Sequence, residues 1–399
     1  MVIRELQLID FIGQKKSTFL FGPRGVGKST LVREFLKEQS QTFEINLLKY
    51  SLFMRYTKNP DLLISEVKNK LTSERILTVF IDEVQKIPHI LDHVHLLLEE
   101  EKPNVRFILS GSSARKLKRG GANLLAGRAL TLSLHPLIHT EIKFNLDKAL
   151  QWGTLPAIYL EDPDPTPTLE SYVETYLKEE IQEEALVRKV DAFIRFLDIA
   201  GQMNGEPTNF LEISRDCHVS SNTVQEYYSI LTDTLIAYRL NGWSFSVRKQ
   251  VLASPKFYFF DCGVLNAIRG ELSIELKEGS YRYGKLFETF IIQEMFRFND
   301  YTRSHYEFLY WRTNTGMEVD LILTDKNKRT LFAIEIKASA APQKKYLKGL
   351  ESFKSENHHA QLFCICQTEH SYKLDDITVL PWKEAFKTFF HTTHHASGE

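Results

Sequence analysis

The sequence predicts an α/β fold divided into two or three domains, and three observations carry that prediction. Apolar runs of strand length (Thr18 to Phe21, Ile76 to Ile81, Val105 to Leu109) alternate with stretches whose apolar residues recur at helical spacing. A glycine-rich turn, Gly22 to Ser29, joins the first run directly to a helical one. The chain has 399 residues, more than one core supports, since domains run to about 100–200 residues.

Composition narrows the class. Against 50 Lys and Arg stand 51 Asp and Glu, for a net charge of -1, so any contact with DNA or RNA has to come from local patches. No apolar run approaches the length of about 18 residues that a membrane span needs. The N-terminal segment, with Arg4, Glu5 and Asp10, is too charged for a signal peptide. A cytoplasmic protein without membrane contact is expected. Cys217, Cys262, Cys364 and Cys366 are too scattered for a disulfide framework and read as small buried hydrophobes.

Gly22-Pro23-Arg24-Gly25-Val26-Gly27-Lys28-Ser29 fits the pattern G-x-x-x-x-G-K-[ST] between a strand and a helix, with Thr30 opening the helical stretch. Gly22, Gly25 and Gly27 let successive N–H groups point at phosphate oxygens. Lys28 brings an ammonium to the β- and γ-phosphates, and Ser29 offers a hydroxyl to Mg²⁺ at the positive end of the helix. A glycine-rich turn with a chance Lys-Ser is the plainer account, and the flanking strand and helix disfavour it. ATP and Mg²⁺ are therefore the expected cofactors.

The run ending at Ile81 leads into Asp82 and Glu83. Asp82 suits the Mg²⁺ shell, and Glu83 suits the role of orienting and deprotonating the attacking water. The next strand runs into Ser110-Gly111-Ser112-Ser113, where Ser110 and Ser112 are both candidates to sense the γ-phosphate. Arg115 to Arg119 is a compact basic run, open to a phosphate-backbone reading and to that of a solvated loop. Arg128 has two readings as well. It is an arginine finger acting on its own or a neighbouring subunit, the latter implying self-association, or it is an ordinary surface arginine.

These motifs, with LAGR ending at Arg128 and LHPLIHTEI from Leu134, resemble a prokaryotic AAA-type ATPase family whose members carry a C-terminal domain of uncharacterised function. The segments from Ser171, Lys256 and Tyr283 to Ser339 extend the resemblance over nearly the whole chain. One departure is Trp152-Gly153-Thr154-Leu155-Pro156, where relatives commonly show Gly-Gly-Leu-Pro. The resemblance implies a signalling or defence-type ATPase and fixes no substrate.

Glu161 to Thr168 holds three prolines among acidic residues, so it reads as a linker that can neither continue a helix nor pair in a central strand. Beyond it, Leu169 to Lys189 reads as a long helix. Leu211 to Cys217 and Thr223 to Leu231, the second capped by Ser221 or Asn222, have helix-turn-helix spacing. Strands Leu235 to Leu240 and Lys256 to Phe260, with Arg248 and Lys249 between them, complete a winged-helix pattern. The recognition position offers Asn222, Thr223, Gln225 and Glu226 but no Arg or Lys, so DNA reading competes with a structural or partner-binding role.

The last region carries a second constellation. Glu318, Val319 and Asp320 open one strand, and Glu335 and Lys337 share a face of the next. Glu288 lies on an amphipathic helix over Gly284 to Arg297. Helix-Glu, then Asp, then Glu-x-Lys resembles the PD-(D/E)XK nuclease superfamily, with Val319 where the pattern's name has proline. The resemblance implies that Glu288, Asp320 and Glu335 hold Mg²⁺ while Lys337 positions or activates water. An exposed charged hairpin, or the same fold without catalysis, is the alternative. The expected domains are 1–160, a P-loop ATPase; 161–265, helical and winged-helix; 266–390, nuclease-like; and a disordered tail, 391–399. The leading functional expectation is an ATP-regulated nucleic-acid enzyme, and the competing one is a switch ATPase whose last domain binds a partner.

Overall fold

The computed structural model describes residues 2–12, 16–72, 75–101, 104–115, 117, 125, 127–177, 190–244, 254–327 and 331–390. The first sheet contains β1 (Ser17–Phe21), β2 (Thr42–Asn46), β3 (Leu77–Asp82), β4 (Val105–Gly111) and β5 (Ala129–Ser133). All are parallel, in the order β2-β3-β4-β1-β5. Parallel strands are covered on both faces, which is why β1, β3 and β4 read as continuous apolar runs. Alternation then sorts them. Phe19 and Phe21 pack on one face with Val79, Ile81 and the helix Ile90–Glu100, while Leu20, Phe80 and Ile108 pack on the other. With β4 between β1 and β3, the carboxyl ends bearing Gly22, Asp82 and Ser110 lie side by side.

The second sheet has eight strands. They are β6 (Ala237–Gly242), β7 (Lys256–Phe259), β8 (Glu307–Arg312), β9 (Glu318–Thr324), β10 (Leu331–Ile336), β11 (Gln361–Cys366), β12 (Tyr372–Leu374) and β13 (Ile377–Pro381). Their order is β12-β13-β11-β10-β9-β8-β6-β7. The long helix Tyr281–Tyr301 buries Leu286, Phe287, Phe290, Ile291 and Phe298 within the main core. The expected helix over Gly284 to Arg297 is thus present and longer at both ends. All four cysteines are buried and free, and among the described residues no helix is long and apolar enough to cross a membrane.

Three expectations change. The proline-rich segment is only a short break: one helix ends at Glu161, and the next begins at Pro165, seated at the first helical position with Asp164 accepting from Thr166 N. Proline is tolerated there because that N–H has no intrahelical partner anyway. The predicted long helix from Leu169 is instead α-helix to Ser171 and π-helix over Tyr172–Leu177, and 178–189 lie outside the described residues. The hairpin expected to form a wing is not a separate body. β6 pairs with β8 through Asn241↔Leu309, so middle and last regions share one sheet, and the helix Cys262–Ile268 straddles the expected boundary. One apolar cluster likewise runs from Leu6 through Leu169 and Tyr228 to Phe390, so these regions share core.

The helix-turn-helix pair is Phe210–Asp216 and Ser221–Asp233. Its second helix is capped by Ser220, whose hydroxyl accepts from Thr223 N, rather than by Ser221 or Asn222. The expected wing residues Arg248 and Lys249, and the tail from His391, lie outside the described residues.

Candidate functional site

The turn after β1 is glycine because of what surrounds it. A Cβ on Gly22 would stand 2.2 Å from the Leu134 carbonyl oxygen, and Gly27 caps the following helix at φ 93, a left-handed value. That helix, Lys28–Lys37, starts without a side-chain cap, so its first N–H groups remain as donors. The loop is braced from behind. Arg4 donates to Val26 O at 2.8 Å and His135 O at 2.7 Å, and its Nε pairs with Glu141 at 3.0 Å. Val26 is buried in the core, Gly25 and Thr30 are exposed, and Pro23 is buried. Tyr172 donates to Arg24 O at 3.1 Å, and the Arg24 guanidinium lies 5.3 Å from the Tyr176 ring centre.

Lys28 Nζ donates to Gly22 O at 2.7 Å and Pro23 O at 3.0 Å. Ser29 Oγ donates to Asp82 at 2.8 Å, and Ser110 Oγ donates to the same carboxylate while accepting from Glu83 N at 3.2 Å. The structure therefore places Ser29, Asp82, Glu83 and Ser110 in one connected group. Ser112 stands one step away, 3.4 Å from Gln85 Nε2. Ser29 and Asp82 fit an octahedral, oxygen-seeking Mg²⁺, and the open helix terminus with Lys28 fits a polyphosphate.

Arg128 does not join this group. It precedes Ala129, which pairs with Ser17 at the amino end of β1, and its guanidinium bonds Glu99 at 2.5 Å. The phosphate loop leaves the opposite end of that strand, so the reading in which Arg128 serves its own chain's nucleotide is set aside.

The second constellation assembles as the strand periodicity predicted. β9 and β10 are antiparallel with Ile334 opposite Leu321. Lys337 Nζ stands 2.5 Å from Glu335 Oε1 and 3.8 Å from Asp320 Oδ2, whose oxygen also accepts from Ile336 N at 2.8 Å. Glu288 accepts from Tyr258 OH at 2.8 Å. Sequence reasoning missed Lys256, buried and bonded to Glu318, and Tyr258 on the same face of β7. Their alternation in Lys-Phe-Tyr-Phe was the available signal, but nothing local says that β7 joins this sheet.

Burial pushes the Glu335 carboxyl well above the usual carboxylate range, and the nearby Asp320 charge pushes it further. Glu288 is raised for the same two reasons. Burial works against the charges of Lys256 and Lys337, yet the surrounding carboxylates outweigh it and hold both ammoniums firmly protonated. Among the described residues no three acidic, histidine or cysteine groups converge as a metal site. The expected Mg²⁺ set of Glu288, Asp320 and Glu335 is thus corrected. Lys337 instead bonds Glu335 and lies 3.8 Å from Asp320, and Lys256 bonds the adjoining Glu318.

Arg115 reaches the helix Ser221–Asp233 mainly beyond the recognition position, where Asn222 and Gln225 are exposed. Arg115, just past β4, donates to Ser229 at 3.2 Å, bonds Asp233, and lies 3.7 Å from Glu226. Of the predicted basic run only Arg115 and Leu117 fall within the described residues.

Comparison with known proteins finds three matches along the chain. Residues 14–143 match the AAA domain, 143–275 a domain of unknown function (DUF8612), and 283–385 another (DUF4143). The uncharacterized proteins Rv2008c of Mycobacterium tuberculosis and Mb2031c of Mycobacterium bovis are each 24% identical over 364 residues, covering 90% of this chain and 78% of theirs. Among solved structures, a chain from Drosophila ORC bound to AT-rich DNA and Cdc6 is 11% identical, covers 66% of this chain and 89% of its own, and overlays with a TM-score of 0.24. PCH-2 of C. elegans is 15% identical, covers 55% and 64%, and overlays with a TM-score of 0.27. Both overlays are loose. The sheet order, the phosphate loop and the family match make the first region a P-loop domain of the AAA type.

Proposed function

We propose that the chain binds and hydrolyses ATP at the carboxyl ends of β1, β3 and β4, through Lys28, Ser29, Asp82 and Glu83. The carrying observation is the connected group in which Ser29 and Ser110 both bond Asp82, beside an uncapped helix terminus. Lys28 and the helix N–H groups bind the phosphates, and Ser29 with Asp82 holds Mg²⁺. When bound, that ion neutralises charge developing on the β- and γ-phosphates. Glu83 takes the proton of the water that attacks the γ-phosphorus, and ADP leaves. The test is phosphate release by full-length protein. Glu83→Gln should bind ATP normally yet hydrolyse about 10²–10⁴-fold more slowly, and equal rates would sink the assignment.

For the C-terminal cluster two readings stand. Glu288, Asp320, Glu335 and Lys337 in one place support an ATP-regulated enzyme acting on DNA or RNA. The pairing of Lys337 with Glu335, and of Lys256 with the adjoining Glu318, supports the other reading more directly: a switch ATPase whose nuclease-like domain binds a partner without cutting. A nicking assay with Mg²⁺ or Mn²⁺, in each nucleotide state, decides. Cleavage lost in Asp320→Ala restores the nuclease reading; no cleavage leaves the switch.

A further inference from the structure

Glu83 leaves β3 in left-handed backbone, φ 61 and ψ 47. That region costs a non-glycine residue about 1–3 kcal/mol and persists only where the surroundings hold it. Its carboxylate is bonded by a neighbour two residues on: Gln85 Nε2 donates to Glu83 Oε2 at 2.5 Å. A carboxylate only accepts, so the nitrogen of the amide has to face it. The same nitrogen lies 3.4 Å from Ser112 Oγ at the end of the neighbouring strand. The carbonyl end, Oε1, is buried and has no partner among the described residues. A glutamine kept for packing alone would pair both ends, because an unmet buried acceptor costs about 1–3 kcal/mol. Space for it comes from Gly111, where a Cβ would stand 2.5 Å from Gln85 Oε1.

We infer that Gln85 is a positioning residue for ATP hydrolysis: its amide sets the orientation of the Glu83 carboxylate, and Ser112 links that orientation to the end of β4. The inference rests on Glu83 being the water-activating group.

The experiment is steady-state ATP hydrolysis by full-length variants across pH, with ATP affinity measured separately. Gln85→Ala should lower kcat about tenfold or more while leaving ATP affinity unchanged, since misplacement of a reacting group by an ångström can cost up to about 10²-fold. Gly111→Ala leaves the amide chemistry intact but fills the space of its carbonyl, so it should reproduce the same loss. Gln85→Glu sets a second carboxylate against Glu83; like-charge repulsion should move the acid limb of the kcat profile to higher pH. Lost packing would not produce that shift. Normal kcat in folded Gln85→Ala and Gly111→Ala, a loss confined to ATP affinity, or an unmoved acid limb in Gln85→Glu would each overturn the inference. If Glu83→Gln is inactive while these variants are normal, only this inference fails; if Glu83→Gln hydrolyses normally, the reading of Glu83 fails with it.

Discussion

Both chemically charged regions of the molecule hold a buried or half-buried lysine and buried carboxylates, and the lysine is bonded differently in each. In the first sheet Lys28 bonds the backbone carbonyls of its own loop, and the Asp82 carboxylate accepts from the hydroxyls of Ser29 and Ser110. Those hydroxyls carry no charge of their own, so neither bond neutralises Asp82. In the second sheet Lys337 and Lys256 bond the carboxylates directly. A charge already neutralised within the protein attracts a metal less, so the same residue types make a poised site in one place and a self-compensated one in the other.

The comparison breaks most visibly at the nucleotide site. Lys28→Ala should abolish ATP binding measured by calorimetry, and Gly22→Ala should do so too, because its Cβ has no room beside Leu134 O. ATP binding retained in both would remove the poised site altogether. Next in size is Lys256→Ala. Leaving Glu318, Glu288 and Asp320 without that buried ammonium should destabilise the protein by about 3–5 kcal/mol in chemical denaturation. A neutral result would mean that the cluster is not compensated by lysine.

A pH series sharpens the same point. Because the folded-state pKa of Glu335 is raised by burial and by Asp320, the folded chain holds a proton that the unfolded chain has released above the ordinary glutamate value of 4.5. Stability should therefore fall as pH rises from that value toward the raised one. Glu335→Gln removes this loss, so its melting temperature should gain on wild type as pH increases across that window. A constant difference would contradict the raised value. The smallest effect is expected from Arg115→Ala. Its partners Glu226 and Asp233 are about half exposed, so the lost ion pairs are worth about 0.2–1 kcal/mol. Hydrogen exchange should rise locally over 221–233, and unchanged exchange would show that Arg115 does not hold that helix.

Much of the nucleotide site was legible because its parts are contiguous. Gly22 to Ser29 and the Asp82-Glu83 pair are short motifs at strand ends, and a parallel sheet sets all its carboxyl ends along one edge. Period-two alternation likewise put Glu335 and Lys337 on one face. Gln85 was visible in the sequence two residues past Glu83, but its role was not, since a left-handed turn at Glu83 redirects the chain and only the fold shows where the amide ends up. Which of Ser110 and Ser112 bonds Asp82 followed from β4 lying between β1 and β3, which puts Ser110 against that carboxylate.

By itself the sequence determined the phosphate loop, the strands that carry the acids and the helix-turn-helix spacing, all consequences of local backbone preference and side-chain period. Tertiary structure alone decided that β6 pairs β8, and hence that Lys256 enters the acidic cluster. It also decided that Arg128 lies at the far end of the sheet from the phosphate loop, and that Arg115 bonds Ser229 and Asp233. Each depends on which elements become neighbours across long stretches of chain. That choice is made by burying apolar clusters assembled from distant stretches, one of them reaching from Leu6 to Phe390, and no local pattern of residues encodes it.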